Sequence, residues 1–192
     1  MPQPGSPPVV LVLASGRGER FRASGGQGSK LQALLAGRPV LEHTLAAVRA
    51  SGLPWHLEDA GHPGMGDSIA AAVRAARGAG GWLVLPGDLP LVKPESLHAV
   101  AQALATHAVV LPTHGGERGH PVGFSAACGE ELARLTGTEG AAAVVRARAA
   151  RGEVLRLELP DPGVVTDIDT LEDLARAERA LTRPPSPPAA GR

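Results

Sequence analysis

The sequence predicts an α/β protein with a single-domain, doubly wound, mostly parallel sheet and helices on both faces. Three observations favour this class. Apolar segments of strand length alternate with amphipathic helical segments, the first strand is apolar on both faces, and the residues with the clearest chemistry follow the ends of strands. At 192 residues, one domain over about residues 8–182 is the simplest organisation.

Local signals define the elements of the N-terminal half. Proline suits the first turn of a helix because it has no N–H to leave unpaired, and glycine commonly follows the last turn, as Pro39 and Gly52 do here. Leu41, Leu45 and Val48 give that helix one apolar side. The predicted elements are a strand over 8–15, a helix from Pro39 to about Ala50, a short strand over 55–57, an alanine-rich helix over 67–77 and a strand over 81–86.

Similar signals define the C-terminal half. Pro94 begins a helix whose inward side carries Leu97 and Val100. Thr170 is the expected cap of the last helix, with Asp173 in its first turn, where a negative charge is favourable. The predicted elements are a helix from Pro94 through Thr106, a strand over 108–112, an irregular hairpin over 116–125, helices over 129–135 and 139–151, a strand over 153–159 and a final helix over 170–181.

Composition excludes several classes of function. The chain has 19 basic and 19 acidic residues, so we expect neither nucleic acid nor an anionic membrane as a partner. Its single cysteine, Cys128, excludes an internal disulfide and a CxxC metal site and is expected to be a packing residue. No apolar run approaches the roughly 20 residues that span a bilayer, and residues 1–8 do not resemble a secretory signal, so we expect a cytoplasmic protein. We expect residues 1–7 and the proline-rich tail 183–192 to be disordered.

A glycine-rich basic loop follows the first strand. Glycines let backbone N–H groups close around phosphate oxygens, and cationic side chains offset the charge, so the loop predicts a polyphosphate site. Two better-known motifs are absent, because Lys30 follows Ser29 instead of preceding it and Phe21 stands where GxGxxG needs a glycine. A surface loop without function is the alternative. The glycines and cations, against one acid at Glu19, are Gly16, Gly18, Gly25, Gly26, Gly28, Arg17, Arg20, Arg22 and Lys30.

Carboxylates follow two further strands. Asp88 lies on the short Gly87-Asp88-Leu89-Pro90 turn after the strand over 81–86, where it would face the crevice and bind Mg²⁺ through oxygen. The alternative is an aspartate that caps its own turn. Asp167 and Asp169 precede the last helix; either one could cap it, which leaves the other without an explanation. These three aspartates are the candidate metal ligands.

Six motifs occur in an order that resembles the MobA-like nucleotidyltransferases, and most of all their molybdenum cofactor cytidylyltransferase branch. The resemblance covers about residues 8–181. The motifs are Leu13-Ala14-Ser15-Gly16-Arg17-Gly18-Glu19-Arg20 with Lys30 downstream, Gly37-Arg38-Pro39-Val40-Leu41-Glu42-His43, Gly64-Met65-Gly66-Asp67-Ser68, Gly87-Asp88-Leu89-Pro90-Leu91, Arg118-Gly119-His120-Pro121-Val122 and Asp167-Ile168-Asp169-Thr170.

The resemblance implies a nucleotide-diphospho-sugar transferase-like fold and an enzyme that requires Mg²⁺. Such an enzyme moves a nucleotide monophosphate from a nucleoside triphosphate, here expected to be CTP, to the phosphate of a molybdopterin-type cofactor and releases pyrophosphate. A molybdenum hydroxylase or its chaperone is the implied protein partner. The implied roles are catalysis for Arg20, Lys30 and Asp88, nucleotide binding for Leu13, Ala14, Gly16, Gly18, Arg20, Lys30, Gly66, Ser68 and Asp88, second-substrate binding for Arg118 and His120, and metal binding for Asp88, Asp167 and Asp169.

The chain departs from the family pattern in three places. Ser15 replaces a usual alanine, the loop before Lys30 is longer and richer in glycine, and residues 53–63 are too few for the strand and helix that relatives carry there. Base selectivity therefore does not transfer.

Open alternatives are use of GTP, a sugar-phosphate or alditol-phosphate acceptor, and a non-catalytic carrier of the molybdenum cofactor. A nicotinamide dehydrogenase is disfavoured because the nearest acid for a ribose, Glu42, lies on a helix. His120 has a local alternative as the partner of a carbonyl, and a zinc pair with His114 lacks a third ligand.

Overall fold

A mixed seven-stranded sheet organises the part of the chain that the computed structural model describes, residues 6–16 and 18–182. Residues 1–5 and 183–192, where disorder is predicted, and Arg17 of the basic loop lie outside this range. The strands are β1 (Val9–Leu13), β2 (Leu34–Leu35), β3 (Arg38–Pro39), β4 (Trp55–Glu58), β5 (Gly81–Pro86), β6 (Val109–His114), β7 (Glu117–Arg118), β8 (Val122–Ser125) and β9 (Val154–Glu158).

The helices alternate with these strands. They are α1 (Glu19–Ala23), α2 (Val40–Ser51), α3 (Met65–Ala75), α4 (Pro94–Ala103), α5 (Gly129–Ala133), α6 (Ala142–Ala149) and α7 (Leu171–Thr182), with 3₁₀ turns at Lys30–Gln32, Ala126–Cys128 and Pro162–Val165. Among the described residues, no helix has the length and apolar character needed to cross a bilayer.

The strand order of the main sheet is β4-β1-β5-β8-β6-β7, and β9 pairs with β6. Strands β4, β1 and β5 run parallel to one another, as do β6 and β9, whereas β8 and β7 are antiparallel to their neighbours. Strands β2 and β3 form a separate two-stranded ribbon. The predicted fold class is therefore confirmed: the sheet is mostly parallel.

Two apolar cores cover the two faces of the sheet. Leu11 and Leu13 of β1 face one core, which is completed by α3, α5 and α6, whereas Val10 and Val12 face the other, which is completed by α2 and α4. Successive side chains of a strand point to opposite faces, so a strand buried on both sides must be continuously apolar. This pattern confirms the prediction of helices on both faces.

Several predicted elements differ in their limits or pairing. The segment 116–125 is not a hairpin, because β7 and β8 each pair with β6 and not with each other. The chain leaves β7 where the N–H of Gly119 donates to Pro112 and the N–H of His120 donates to Val164, and a cis peptide joins His120 to Pro121. The helix predicted over 139–151 is shorter, because Gly140 adopts a left-handed φ of 60° and α6 begins after it.

Candidate active site

A cleft of about 420 Å³ lies at the carboxyl end of β1. Two segments supply most of its walls: the loop after β1 and the residues that lead into α3. The side chain of Ser15 joins these walls through a 2.7 Å hydrogen bond between its Oγ and that of Ser68. The lining residues are Ser15, Gly16, Gly18, Glu19, Arg20, Lys30, His62, Pro63, Gly64, Met65, Ser68, Thr138 and Asp169.

The glycine-rich loop has a defined packing. Phe21 of α1 is buried, and Gly26 lies against its ring so closely that a Cβ at this position would stand 2.3 Å from the ring carbons. The N–H of Gly26 also donates to the Phe21 carbonyl. Gly18 directly precedes α1, at its N-cap position, with a left-handed φ of 61°, a conformation that favours glycine. These contacts fix the path of the loop along the cleft.

Lys30 bridges two carboxylates inside the cleft. Its Nζ lies 2.5 Å from Oδ2 of Asp88 and 2.7 Å from Oδ1 of Asp169. Arg20 contacts the other oxygen of Asp169 at 2.7 Å. Burial alone would lower the pKa of Lys30, but the charges and hydrogen bonds of Asp88 and Asp169 outweigh it, so that pKa is raised. Lys30 therefore stays charged, and the four side chains form a compact network of two acids and two bases.

The turn that carries Asp88 is held between β1 and α2. The N–H of Gly87 donates to the Leu13 carbonyl at 2.9 Å, and the hydroxyl of Thr44 donates to the Gly87 carbonyl at 2.9 Å. Asp88 itself is buried, and its Oδ1 has no hydrogen-bond partner within residues 6–16 and 18–182. A buried acceptor without a partner is costly, which marks Oδ1 as a position for a ligand.

The acids before the last helix divide into distinct roles. Thr170 and Asp173 cap α7 reciprocally: the Asp173 carboxylate accepts from the Thr170 N–H at 2.7 Å, and the Asp173 N–H donates to the Thr170 hydroxyl. The predicted cap is confirmed, so neither Asp167 nor Asp169 is needed for it. Burial would raise the pKa of Asp169, but Lys30 and Arg20 lower it. Partial desolvation of its carboxyl group, together with the neighbouring Asp169, raises the pKa of Asp167, although the residue as a whole is exposed and does not line the cleft.

The carboxylates fit a divalent cation. Asp88 and Asp169 present oxygens to a single ammonium group, and one oxygen of Asp88 is unsatisfied. Within the part of the chain described, no group of three or more His, Cys, Asp or Glu side chains is arranged as a metal cage. Mg²⁺ is commonly coordinated by one or two carboxylates, with substrate phosphates and water as the remaining ligands. Asp88 and Asp169 therefore suit this ion when a phosphorylated substrate is present.

A second cavity, of about 300 Å³, adjoins the cleft through Met65, which lines both. Its walls are mostly apolar, with Arg118, His120 and Glu139 as the polar exceptions. The Nδ1 atom of His120 is buried without a partner among the described residues. Burial lowers the pKa of His120, although the charge of Asp88 partly opposes this effect, so the ring is neutral at physiological pH.

The predicted site residues thus fall into three groups. Gly16, Gly18, Arg20, Lys30, Ser68 and Asp169 line the cleft, whereas Leu13, Arg118 and His120 line the second cavity. Ala14 and Gly66 line neither: their N–H groups donate to the carbonyls of Glu58 and Gly137. Asp88 reaches the cleft through Lys30.

Seven residues of the cleft lining have no predicted site role: Ser15, Glu19, His62, Pro63, Gly64, Met65 and Thr138. Four of them, Ser15, Glu19, Gly64 and Met65, lie within the motifs quoted above, and His62 and Pro63 directly precede the Gly64-Met65-Gly66 motif, so their position in the sequence was the available signal. Thr138 had no local signal, because its loop reaches the cleft through long-range contacts. The Gly137 N–H donates to Asp67 at 3.0 Å, and the glycine at position 66 lets the Thr136 carbonyl approach α3.

The model of the MobA-like NTP transferase domain family matches residues 10–154, most of the chain. The chain belongs to this family. The resemblance predicted from the six motifs is confirmed at the level of the family. The glycine-rich loop, Lys30 and the Asp88 turn all lie within the matched residues of this MobA-like domain.

Individual relatives of the MobA-like domain are distant. The bifunctional protein GlmU of Xanthomonas axonopodis pv. citri (strain 306) is 29% identical over 207 residues, and the match covers 90% of this chain and 42% of GlmU. The chain therefore spans less than half the length of the curated relatives it matches.

Two solved structures have the same fold. The manganese complex of Rv0371c from Mycobacterium tuberculosis H37Rv has a TM-score of 0.67 at 21% identity, and the match covers 91% of this chain and 100% of that one. Molybdopterin-guanine dinucleotide biosynthesis protein A from Archaeoglobus fulgidus has a TM-score of 0.63 at 21% identity, with coverage of 91% and 98%. At these identities the two matches establish the shared fold.

Proposed function

We propose that this chain is an Mg²⁺-dependent nucleotidyltransferase that transfers a nucleotide monophosphate, from CTP, to the phosphate of a molybdopterin-type cofactor and releases pyrophosphate. One observation carries the proposal: the buried Asp88 carboxylate has an unsatisfied oxygen and shares the ammonium of Lys30 with Asp169, at the end of a cleft lined by a basic glycine-rich loop. If Asp88 served only in an ion pair with Lys30, its buried Oδ1 atom would have no reason to remain without a hydrogen-bond partner.

The loop after β1 supplies the proposed triphosphate site. Arg20 and Lys30 provide cationic donors, and Gly16 and Gly18 leave the backbone accessible along the same wall. The guanidinium of Arg20 is 77% exposed and reaches Asp169 from the solvent side, so it is free to turn towards a phosphate. Charge-assisted hydrogen bonds from such groups are the strong contacts in phosphate recognition.

Asp88 and Asp169 are the residues that would hold the metal ion, and Asp167 is the remaining candidate. The manganese in the Rv0371c structure supports a divalent cation in this fold. An Mg²⁺ ion at this position would supply positive charge to the phosphate oxygens around the reacting phosphorus. Lys30 is near enough to both aspartates to share that role.

The second cavity is the proposed acceptor site. It meets the nucleotide cleft at Met65, so an acceptor held there would lie next to the nucleotide. Beyond it, Arg118 also lines a groove of about 410 Å³ with Arg146 and Arg156, which suits an anionic acceptor. The similarity to the A. fulgidus molybdopterin-guanine dinucleotide protein supports a molybdopterin-type acceptor.

The proposed reaction is an in-line displacement. A phosphate oxygen of the acceptor attacks the α-phosphorus of the nucleotide, the bond to the β-phosphate oxygen breaks, and pyrophosphate leaves. The protein positions the two substrates: Arg20 and Lys30 hold the triphosphate, and His120 donates or accepts a hydrogen bond at the acceptor. Orientation and charge neutralisation account for most of the rate enhancement in reactions of this kind. A molybdenum hydroxylase or its chaperone is the proposed recipient of the product.

Pyrophosphate release measured with CTP, GTP and ATP, each with Mg²⁺, tests this proposal. Each triphosphate is paired with a molybdopterin-type acceptor, a sugar phosphate or an alditol phosphate. Release of pyrophosphate with CTP and the pterin acceptor supports the proposal, and a preference for another pair reassigns the substrate. Binding of the pterin without any pyrophosphate release identifies a carrier, and failure to bind any of the triphosphates with Mg²⁺ overturns the proposed function.

A further inference from the structure

A buried carboxylate with two imidazoles beside it lies at the edge of the nucleotide cleft. Glu58 is the last residue of β4, and its side chain is only 9% exposed. Its Oε1 lies 3.1 Å from Nε2 of His62 and accepts the Ala60 N–H at 3.3 Å, while Oε2 lies 3.5 Å from Nε2 of His56. The triphosphate and metal sites proposed above use none of these residues.

The main sheet fixes the position of Glu58. In the parallel pairing of β4 with β1, Glu58 is the partner of Leu13, and its carbonyl accepts the Ala14 N–H at 2.8 Å. Burial would raise the pKa of the carboxyl, but the hydrogen bonds from Ala60 and His62 lower it overall. The carboxylate is therefore ionised, and it accepts a hydrogen bond from the protonated Nε2 of His62.

This pairing leaves Nδ1 of His62 without a protein partner in the described structure. The imidazole lines the cleft next to Pro63 and Gly64. In the neutral ring, a proton on Nε2 makes Nδ1 an acceptor; in the charged ring, both nitrogens are donors. A histidine whose tautomer and orientation are fixed by a buried carboxylate is suited to binding a polar group of a ligand.

The two walls of the cleft indicate which part of the ligand His62 meets. The cations Arg20 and Lys30 lie on the wall formed by the loop after β1, so the triphosphate lies there. His62, Met65 and Thr138 belong to the remaining wall, whose described lining residues include neither lysine nor arginine and which is therefore suited to a ribose and a base. We propose that His62 binds the nucleoside half of the nucleotide through Nδ1 and that Glu58 is its positioning residue.

This inference rests on the proposed function and deepens it. Residues 53–63 form the segment in which the sequence is expected to depart from the family pattern, so a contact made from this segment would belong to this chain's own sequence. His56, Glu58 and His62 all lie within it. In this proposal the segment supplies a nucleoside contact from the loop that follows the edge strand β4.

Comparison of CTP with inorganic tripolyphosphate isolates the nucleoside contact. Isothermal titration with each ligand in the presence of Mg²⁺ is carried out on the wild type and on His62→Ala. The loss of one hydrogen bond should weaken CTP binding by about 3- to 10-fold, while tripolyphosphate binding stays within about twofold. Arg20→Ala should weaken the binding of both CTP and tripolyphosphate. His98→Ala is the matched control, because His98 is exposed on α4 and lines neither cavity, and it should change neither affinity.

Two near-isosteric variants identify the atom that makes the contact. The amide of His62→Asn occupies the region of Nδ1, whereas that of His62→Gln occupies the region of Nε2, which faces Glu58. We expect His62→Asn to retain more CTP affinity than His62→Gln. If His62 only held the loop in place through Glu58, His62→Gln would retain more CTP affinity than His62→Asn. That order of affinities would overturn the proposal.

A double-mutant cycle tests the role of Glu58. Glu58→Gln should weaken CTP binding on its own and have no further effect in the His62→Ala background, because it acts through His62. Equal losses of CTP and tripolyphosphate binding in His62→Ala, or unchanged CTP binding, overturn the inference while leaving the proposed function intact. A wild type that binds neither ligand overturns both.

Discussion

Replacement of Lys30 by methionine gives the sharpest test of the charge network. Methionine keeps the length and the apolar stem of lysine but removes the ammonium group that lies 2.5 Å from Asp88 and 2.7 Å from Asp169. The two carboxylates then face each other without a compensating charge, apart from the contact of Arg20 with Asp169. We expect this variant to be folded but markedly less stable than the wild type.

The magnitude follows from the burial of the network. Removal of one partner of a buried ion pair costs about 3–5 kcal/mol. The side chains of Lys30, Asp88 and Asp169 retain exposures of 11%, 12% and 14%, so water relieves part of the repulsion, and about 3 kcal/mol is the appropriate end of that range. For a chain of this size, 1 kcal/mol shifts Tm by about 2–4 °C, so the Tm should fall by about 6–12 °C.

Thermal unfolding with and without Mg²⁺ measures the effect. Bound cations stabilise the folded state, and a ligand at a hundred times its Kd adds about 2.7 kcal/mol. In the wild type, a cation competes with the ammonium of Lys30 for Asp88 and Asp169. In the variant this competitor is absent, so Mg²⁺ should raise the Tm of Lys30→Met by more than it raises the Tm of the wild type.

Lys93→Met is the matched control for this experiment. The side chain of Lys93 is exposed, and its hydrogen bonds in the described structure involve backbone atoms: its N–H donates to Asp161, and its carbonyl accepts from the N–H groups of Ser96 and Leu97. Its Tm should stay within about 1–2 °C of the wild type, with an unchanged response to Mg²⁺. A Tm of Lys30→Met equal to that of the control, or the same Mg²⁺ response in all three proteins, would refute the reasoning.

The remaining predictions concern the other members of the network. Asp88→Asn should fold normally and lose about 10²–10³-fold in turnover, and pyrophosphate release within a few-fold of the wild type at saturating Mg²⁺ would contradict its role. Arg20→Ala should change stability by less than about 1 kcal/mol, because the Arg20 side chain is 77% exposed and Asp169 keeps its contact with Lys30, yet weaken nucleotide binding about 10- to 100-fold; titration showing an unaltered Kd would reject the assigned contact. Burial opposes but does not cancel the lowering of the Asp169 pKa by Lys30 and Arg20, so the stability that Asp169 contributes is present above its usual pKa and is lost as pH falls. Asp169→Asn should therefore lose less stability than the wild type between about pH 5 and 3, and superimposable profiles of Tm against pH would argue against this.

Local sequence signals were sufficient to predict most of the fold. The continuous apolar run of β1 predicted burial on both faces, and the sheet has a separate core on each side of it. Thr170 and Asp173 predicted the cap of α7, and the reciprocal hydrogen bonds are present. Both features depend on residues close together in the chain, which is why the sequence alone reveals them.

The same local signals did not predict the pairing of strands that lie far apart in the sequence. Strand β8 lies between β5 and β6, and its partners at Trp82 and Val109 lie more than ten residues away along the chain. Nothing local distinguishes this arrangement from the predicted hairpin. The wall formed by Thr138 depends likewise on two hydrogen bonds of its loop: the Gly137 N–H donates to Asp67, and the Gly137 carbonyl accepts from the Gly66 N–H. The contacts that position these segments arise only when the chain has folded.

The candidate site shows the same division. Sequence motifs predicted Lys30 as a phosphate ligand and Asp88 as a metal ligand, but they gave no indication that the two side chains contact each other. The contact matters for interpretation, because an ion pair stabilises the protein whether or not a substrate binds. The unsatisfied oxygen of Asp88 separates the two interpretations, since the ion pair leaves it without a partner.

Charge balance connects the stability of the protein with its proposed function. Asp88 and Asp169 are offset by Lys30 and Arg20, so the network is neutral before any ligand arrives. A triphosphate alone would add excess negative charge to a partly buried site, and a divalent cation alone would add excess positive charge. Mg²⁺ offsets part of the negative charge of the triphosphate, so under the proposed function the network would favour the magnesium complex of the nucleotide over either component alone. Under the proposed function, the side chains that stabilise the protein around the cleft are also the ones that would select its ligand, so substitutions at Lys30 should affect both properties at once.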